Sequence, residues 1–344
     1  MFERKIIDIF CFLGKSLKDF KDDKSPYRKK ILNAIKLSKK ANGWFDEAHI
    51  CFALESLAGI LQNQKIENWL AKYNINNNAP KTIGVIMAGN IPLVGFHDFL
   101  CVLCSGHCFK GKLSSNDQYL LPLLAEIMIQ YYPDLKDKIH FVNNHLDNFD
   151  AVIATGSNNT AHYFKSYFTK YPHIIRMNRS SVAILSGYES QEELDLLSED
   201  VFKYYGLGCR NVSKLYLPSG FDLDRLFKSF YSYKNLVHHP KYANNYTYNK
   251  AVYLMGNKKI IENGFLLLKE DKAISSPISV LHYQYYNDLK EVENDLLEND
   301  KDIQCIVSHI KDIKNKVDFG HAQLPLIDDY ADGVDTMRFL TTLN

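Results

Sequence analysis

The segment best equipped for covalent chemistry is YYGLGCRNVSKLYLP (204–218), where Gly206 and Gly208 precede Cys209 and an apolar run follows at once. Glycines at those positions let a substrate approach the thiol closely, and the Cys209 N–H is a candidate oxyanion donor. Arg210 would favour the thiolate if its side chain pointed the same way. A cysteine in such a setting is also commonly a small buried hydrophobe, so the motif alone leaves both readings open.

Three further segments each end a strand with polar groups. MAGNIPLVGFHDFL (87–100) puts Asn90 just after an apolar run, where a side-chain amide could donate to a developing oxyanion or simply shape the turn before Pro92. HCFKGKLSSND (107–117) follows a short strand ending at Lys112 with Ser114, Ser115 and Asn116, a cation and hydroxyls suited to a ribose or a phosphate. AVIATGSNNTAHYF (151–164) has a strand, a turn at Gly156 and a helix that Ser157 can cap, leaving first-turn N–H groups for a phosphate. It is not the G-x-G-x-x-G fingerprint, so a standard dinucleotide fold does not follow from it. CVLCSGHC (101–108) brings together Cys101, Cys104, His107 and Cys108, but no second C-x-x-C or H-x-H accompanies it, and Cys101 and Cys104 share one face of an apolar helix. Core packing is therefore expected there, and no metal site.

Positioning these residues requires alternating strands and helices. Apolar residues recur at helical spacing from Phe2 to about Tyr73, predicting a helical N-terminal segment over 1–73. NINNNAPK (74–81) reads as a polar linker. Beyond it, strands are expected at 84–89, 139–142, 151–156 and 173–177, with helices at 93–105, 117–131 and 158–169 between them. A second set follows: strand 181–185, helix 191–205, strand 214–217, helix 222–230, and strands near 264–269, 277–285 and 303–308. This alternation predicts an α/β fold of two domains with mainly parallel sheets.

The 344 residues carry 41 Lys and Arg against 40 Asp and Glu, a net charge of +1 that argues against nucleic acid as a partner. No run of 18 apolar residues is present, so no membrane span is expected, and the first twenty residues lack an export pattern. Seven scattered cysteines, an odd number, suggest reduced thiols and a cytoplasmic protein.

Taken in order, GVIMAGNIPL, CFKGKLSS, AVIATGSNNT, RSSVAIL and GLGCRNVSKLYLP resemble the successive blocks of the aldehyde dehydrogenase superfamily. With NGWFDEAHICFALESLAGIL…IENWLAKY (42–73) and GHAQLPLIDDYADGVDTMRFL (320–340), the chain is most similar to the acyl-CoA reductase branch, which includes the fatty acyl reductase of bacterial luminescence systems. The resemblance implies Cys209 as nucleophile and Asn90 as the side-chain half of an oxyanion site. It implies Lys112 and Ser114 at an adenosine ribose, and Gly156 and Ser157 at a pyrophosphate. The expected domains are a cofactor-binding domain over 74–175 and 311–344, with the helical segment packed on it, and a catalytic domain over 176–310.

Two departures refine the expectation. The Glu by which hydrolytic members activate water is replaced here by Arg176, which argues against hydrolysis of a thioacyl-enzyme and for its exchange with a thiol or reduction by hydride. The carboxylate that such members place on the nicotinamide ribose falls near Ala273 and Ser275. Ser115 stands where NAD-preferring members often carry a carboxylate, so NADPH is the expected cofactor, with NADH as the alternative. The expected activity is reduction of an acyl-CoA to an aldehyde, by a homo-oligomer or in a complex with an acyl-supplying or aldehyde-consuming enzyme. Two other readings remain: a cysteine acyltransferase with no redox step, and a non-catalytic metal- or partner-binding protein using the Cys101–Cys108 cluster.

Overall fold

The computed structural model describes residues 2–75, 79–143 and 145–343. The expected linker 74–81 therefore lies partly outside the described residues. The chain divides into two compact units, residues 1–177 with 326–344, and residues 178–325.

The first unit opens with helices α1 (Phe2–Lys18), α2 (Arg28–Ala41), α3 (Glu47–Ile60) and α4 (Asn63–Leu70). It continues through β1 (Thr82–Ile86), α5 (Phe96–Cys104), β2 (Cys108–Lys112), α6 (Leu120–Tyr131), β3 (Ile139–Val142), β4 (Ala151–Thr155), α7 (Asn158–Phe168) and β5 (His173–Arg176). The four opening helices bury Phe10, Leu13, Leu54 and Trp69 in one hydrophobic core with Phe99 of α5, Leu124 of α6 and Ile83 of β1. Every strand of the five-stranded sheet runs parallel, in the order β3-β2-β1-β4-β5. Successive strands step outward from β1 to β3 and then restart on its other side at β4, so the order reverses between β1 and β4. Ligands of open parallel sheets sit at the carboxyl ends of the strands at such a reversal. The sequence gives β1 as 84–89, but its ladder with β2 ends at Ile86, and Leu93 takes a left-handed backbone (φ 62°) that delays α5 to Phe96.

The second unit contains β6 (Ser180–Ile184), α8 (Gln191–Phe202), β7 (Val212–Pro218), α9 (Leu223–Phe230), α10 (Pro240–Met255), β8 (Ile261–Glu262), β9 (Leu267–Glu270), β10 (Val280–Tyr286), α11 (Leu289–Glu298), β11 (Ile303–Val307) and β12 (Lys316–Val317). Its seven strands run β12-β11-β6-β7-β10-β9-β8, parallel except for the β8–β9 pair. Residues 311–325 stay with this unit, rather than returning to the first at 311 as the sequence suggests, because Lys316 and Val317 extend the sheet alongside Ile306 and Val307. Helix α8 begins at a reciprocal cap between Ser190 and Glu193. It ends at Phe202, three residues earlier than the sequence indicates, because Tyr204, Tyr205 and Gly206 all adopt left-handed backbone (φ 54°, 59° and 76°). The chain then re-enters the first unit, where Met337 and Leu340 of α12 (Thr336–Thr341) join the first core. Each unit is α/β, with a parallel or mainly parallel sheet.

Candidate active site

Six of the residues singled out in the sequence stand at the carboxyl edge of the five-stranded sheet. Asn90 is exposed, four residues beyond the end of β1. Lys112 is the last residue of β2, paired in register with Ile86 and Val142, and is half-buried. Ser114 follows it, close against Gly89: a Cβ on Gly89 would come within 2.6 Å of the Ser114 hydroxyl. This close approach of the two connections explains the glycine before Asn90. The Ser114 hydroxyl accepts from the Asn116 N–H (3.2 Å), while Ser115 is exposed. Gly156 and Ser157 follow β4. Ser157 caps α7, its hydroxyl accepting from the Thr160 N–H (3.3 Å), so the first-turn donors of this helix face the same edge.

Groups that the sequence did not single out hold this edge in shape. The Asp117 carboxylate accepts from the N–H of Leu93 (2.8 Å), fixing the left-handed residue of the Asn90 turn, and burial pushes its pKa up to about 6. Asn42, on the connection from α2, donates to the Gly89 carbonyl (3.4 Å). Neither residue has a spacing that marks it, since each acts on backbone far away in the chain.

Arg176, read as the substitute for a hydrolytic carboxylate, is a buried structural cation. Its guanidinium donates to Asp98 of α5 (2.5 Å) and to the Thr336 hydroxyl (2.9 Å). The nearby charge of Asp98 outweighs the cost of burying the guanidinium and keeps its pKa raised.

Cys209 belongs to the second unit. It is exposed, and it lies in the turn that leads into β7, where the Ser181 hydroxyl at the start of β6 donates to its carbonyl (3.0 Å). The thiol thus stands at the amino edge of the seven-stranded sheet. Asn211 organises the turn. Its amide donates to the carbonyls of Asp200 (3.1 Å), Val201 (3.3 Å) and Lys203 (2.8 Å), and its side-chain oxygen accepts from the Gly208 N–H (2.8 Å). Asp200, buried with its pKa pushed up to about 6, accepts from the N–H groups of Gly320 (2.7 Å) and Ala322 (2.9 Å). Arg210 donates to the Ala322 carbonyl and reaches the Cys305 sulfur (3.8 Å), so its guanidinium anchors the turn to the 320–322 segment.

Ala273 and Ser275 are exposed on the connection between β9 and β10. The carbonyls of Lys272, Ala273 and Ile274 accept, in turn, from Lys214 Nζ (2.7 Å), His282 Nδ1 (3.0 Å) and the Ser213 hydroxyl (2.7 Å). Asp271 precedes them, but its carboxylate is engaged by the Ala273 N–H and by Lys269, which lower its pKa to about 2.

The Cys101–Cys108 cluster is built as core. Cys101 and Cys104 are fully buried, which raises both thiol pKa values and favours the neutral thiol. His107 accepts from the Lys81 N–H at Nδ1 (3.2 Å) and donates from Nε2 to the Leu340 carbonyl (3.0 Å), so both ring nitrogens are committed. Among the described residues, no group of three or more His, Cys, Asp or Glu could hold a metal ion, and no helix is long and apolar enough to cross a membrane.

Residues 4–224, well over half of the chain, match the acyl-CoA reductase (LuxC) family. The chain belongs to that family. Among solved structures, it is similar to aldehyde dehydrogenase 21 from Physcomitrella patens, solved with succinate, at 13% identity over 98% of this chain and 84% of that one, with a TM-score of 0.69. It is likewise similar to the Mycobacterium tuberculosis aldehyde dehydrogenase solved with NAD+, at 13% identity over 91% of this chain and 74% of that one (TM-score 0.65). The Bacillus cereus aldehyde dehydrogenase in its NAD+ complex gives 13% identity over 91% and 73%, with a TM-score of 0.63. No curated protein sequence matches. The acyl-CoA reductase (LuxC) family and the aldehyde dehydrogenase fold make this protein an oxidoreductase of the aldehyde-forming reductase kind.

Proposed function

We propose that this LuxC-family protein reduces an acyl-CoA thioester to the aldehyde through a thioacyl-enzyme on Cys209, using NADPH, with NADH as the alternative donor. The observation that carries the reading is the exposed thiol in a turn fixed by Asn211, Asp200 and Arg210, in a chain of this family. The Cys209 thiolate attacks the thioester carbonyl, coenzyme A leaves as its thiol, and the acyl group remains on sulfur. Oxyanion stabilisation falls to the Cys209 N–H and the Asn90 amide.

The residues at the carboxyl edge of the first sheet fit a nicotinamide dinucleotide. The strand order reverses between β1 and β4, the helix capped by Ser157 offers first-turn N–H groups beside Gly156, and Lys112, Ser114 and Ser115 supply a cation and hydroxyls one strand away. In this reading Lys112 and Ser114 hold the adenosine ribose, and Ser115 leaves space free of negative charge for a 2′-phosphate. The cofactor when bound supplies the hydride that turns the acyl group into an aldehyde. Arg176 provides no base for water, because its guanidinium is buried against Asp98.

Cys209→Ala should abolish acyl-CoA-dependent oxidation of NADPH and leave NADPH binding intact. The assay is absorbance of the reduced cofactor against a panel of acyl-CoAs, with fluorescence titration for binding. Turnover persisting in the variant would refute the covalent route. NADPH oxidation also separates this reading from a thiol acyltransferase, which would release coenzyme A without consuming the cofactor.

A further inference from the structure

We propose that a cleft in the second unit, lined by Tyr205, Ser232, Tyr233, Asn235, Leu236 and His239, receives the phosphorylated adenine end of coenzyme A. The inference rests on the thioester chemistry proposed above and adds where the substrate's nucleotide is held. The cleft has a volume of about 240 Å³. Three of its residues carry aromatic rings, and Ser232 and Asn235 add a hydroxyl and an amide. Leu236 is the one aliphatic side chain among the six. A flat heteroaromatic ring with polar edges can stack on these rings and hydrogen-bond to the polar groups beside them at once. Tyr233 is backed by Phe202 (4.9 Å between centroids, 26°), and Tyr205 lies against His239, another residue of the lining (4.4 Å, 37°).

Charge points the same way. From Arg225 to Ile261 the chain carries seven Lys and Arg and not one Asp or Glu, although the protein as a whole is almost neutral. Lys228, Lys234 and Lys241 of this run are exposed in and beside the 231–239 segment that forms most of the cleft. Glu199, a partner of the Tyr233 hydroxyl, is itself paired with Lys203 (2.5 Å). Such a field favours a ligand bearing several phosphates.

The position relative to the thiol suits coenzyme A, the dinucleotide being assigned to the first sheet. Tyr205 begins the turn that ends at Cys209, and four residues of chain can separate the two by at most about 14 Å. A ligand with a nucleotide at one end and a thioester at the other, joined by a flexible pantetheine arm, can occupy both places. Tyr205 also lies in the left-handed stretch 204–206, so an occupied cleft would brace the turn that presents the nucleophile.

Photolabelling of the full-length protein with 8-azidoadenosine 3′,5′-bisphosphate tests the site without needing turnover. Label is expected on peptides within residues 203–241, chased by coenzyme A and not by adenosine 2′,5′-bisphosphate, which mimics the end of NADPH. Label at 112–117 or 156–160, or equal chase by the 2′,5′ isomer, would overturn the assignment. As a second measurement, Tyr233→Leu combined with Asn235→Leu should raise KM for acyl-CoA about tenfold and raise KM for the matching acyl-pantetheine, which lacks the nucleotide, far less. An equal rise for both substrates would mean that the residues act only on structure. If labelling succeeds while acyl-CoA is never reduced, the cleft stands as a nucleotide site and the proposed reaction falls.

Discussion

Arg176 shows how one residue sets limits on chemistry by its partners. It is tempting to regard it as an active-site carboxylate lost and easily restored. The structure instead gives it a buried pair with Asp98 and a bond to Thr336. Removing one member of a buried pair strands the other charge, at a cost of about 3–5 kcal/mol. Arg176→Glu would go further and set two carboxylates against each other in the interior. The expected outcome is a large fall in the urea midpoint and no gain of thioester hydrolysis. Replacing both partners, Arg176→Leu with Asp98→Leu, should recover much of the lost stability, because an apolar pair leaves no charge uncompensated. A well-folded Arg176→Glu protein that hydrolyses acyl-CoA would show that the position is catalytic in kind and not merely structural.

At the scale of elements, the turn from Phe202 to Asn211 is the feature on which the covalent chemistry depends. Its three consecutive left-handed residues cannot form regular ladder bonds, and the Asn211 amide supplies donors to the carbonyls of Asp200, Val201 and Lys203 in their place. Asn211→Ala leaves these carbonyls and the Gly208 N–H without that partner, which should cost about 1–3 kcal/mol in stability. If the turn then shifts by even about 1 Å, kcat for acyl-CoA reduction should fall by the order of a hundredfold while the Kd for NADPH stays unchanged. An unaltered kcat would mean that Asn211 does not position Cys209. Most of the strands and the helices α5 to α9 were legible in the sequence, since apolar runs and glycine turns leave local signals, whereas the two-residue strands β8 and β12 were not. Helix α10 was not, because its buried face is Tyr242, Tyr246 and Asn249, and no hydrophobic period marks such a stripe. Helix α11 buries Val292 alone, and it too escaped notice. The work of Asn211, Asp117 and Asp98 was invisible for a different reason: their partners are backbone groups or side chains brought near by folding, as in the 78 residues that separate Asp98 from Arg176.

For the whole molecule, one parallel and one mainly parallel sheet mean two carboxyl edges, and each is a place where a phosphate can be held. The second edge is already filled. At the end of β6 the buried Glu189 carboxylate accepts from the N–H groups of Ser186 (2.5 Å) and Gly187 (3.0 Å) and from the Ser186 hydroxyl (2.8 Å), with His309 alongside at 3.5 Å. An internal anion thus occupies the donors that a phosphate would need and would repel it. At the first edge, by contrast, the donors lie in the turns after β1, β2 and β4, and Ser157 leaves first-turn N–H groups of α7 to a ligand. Hydrogen exchange with and without NADPH should therefore show protection at residues 87–90, 112–117 and 156–160, and none at 185–190 or 308–310. Protection confined to the second unit would move the cofactor to the other sheet and undo the roles assigned to Lys112, Ser114 and Ser157. Strand order reverses in both sheets, beside β1 in the first and beside β6 in the second, so it does not choose between them, and it is Glu189 at the end of β6 that excludes the second.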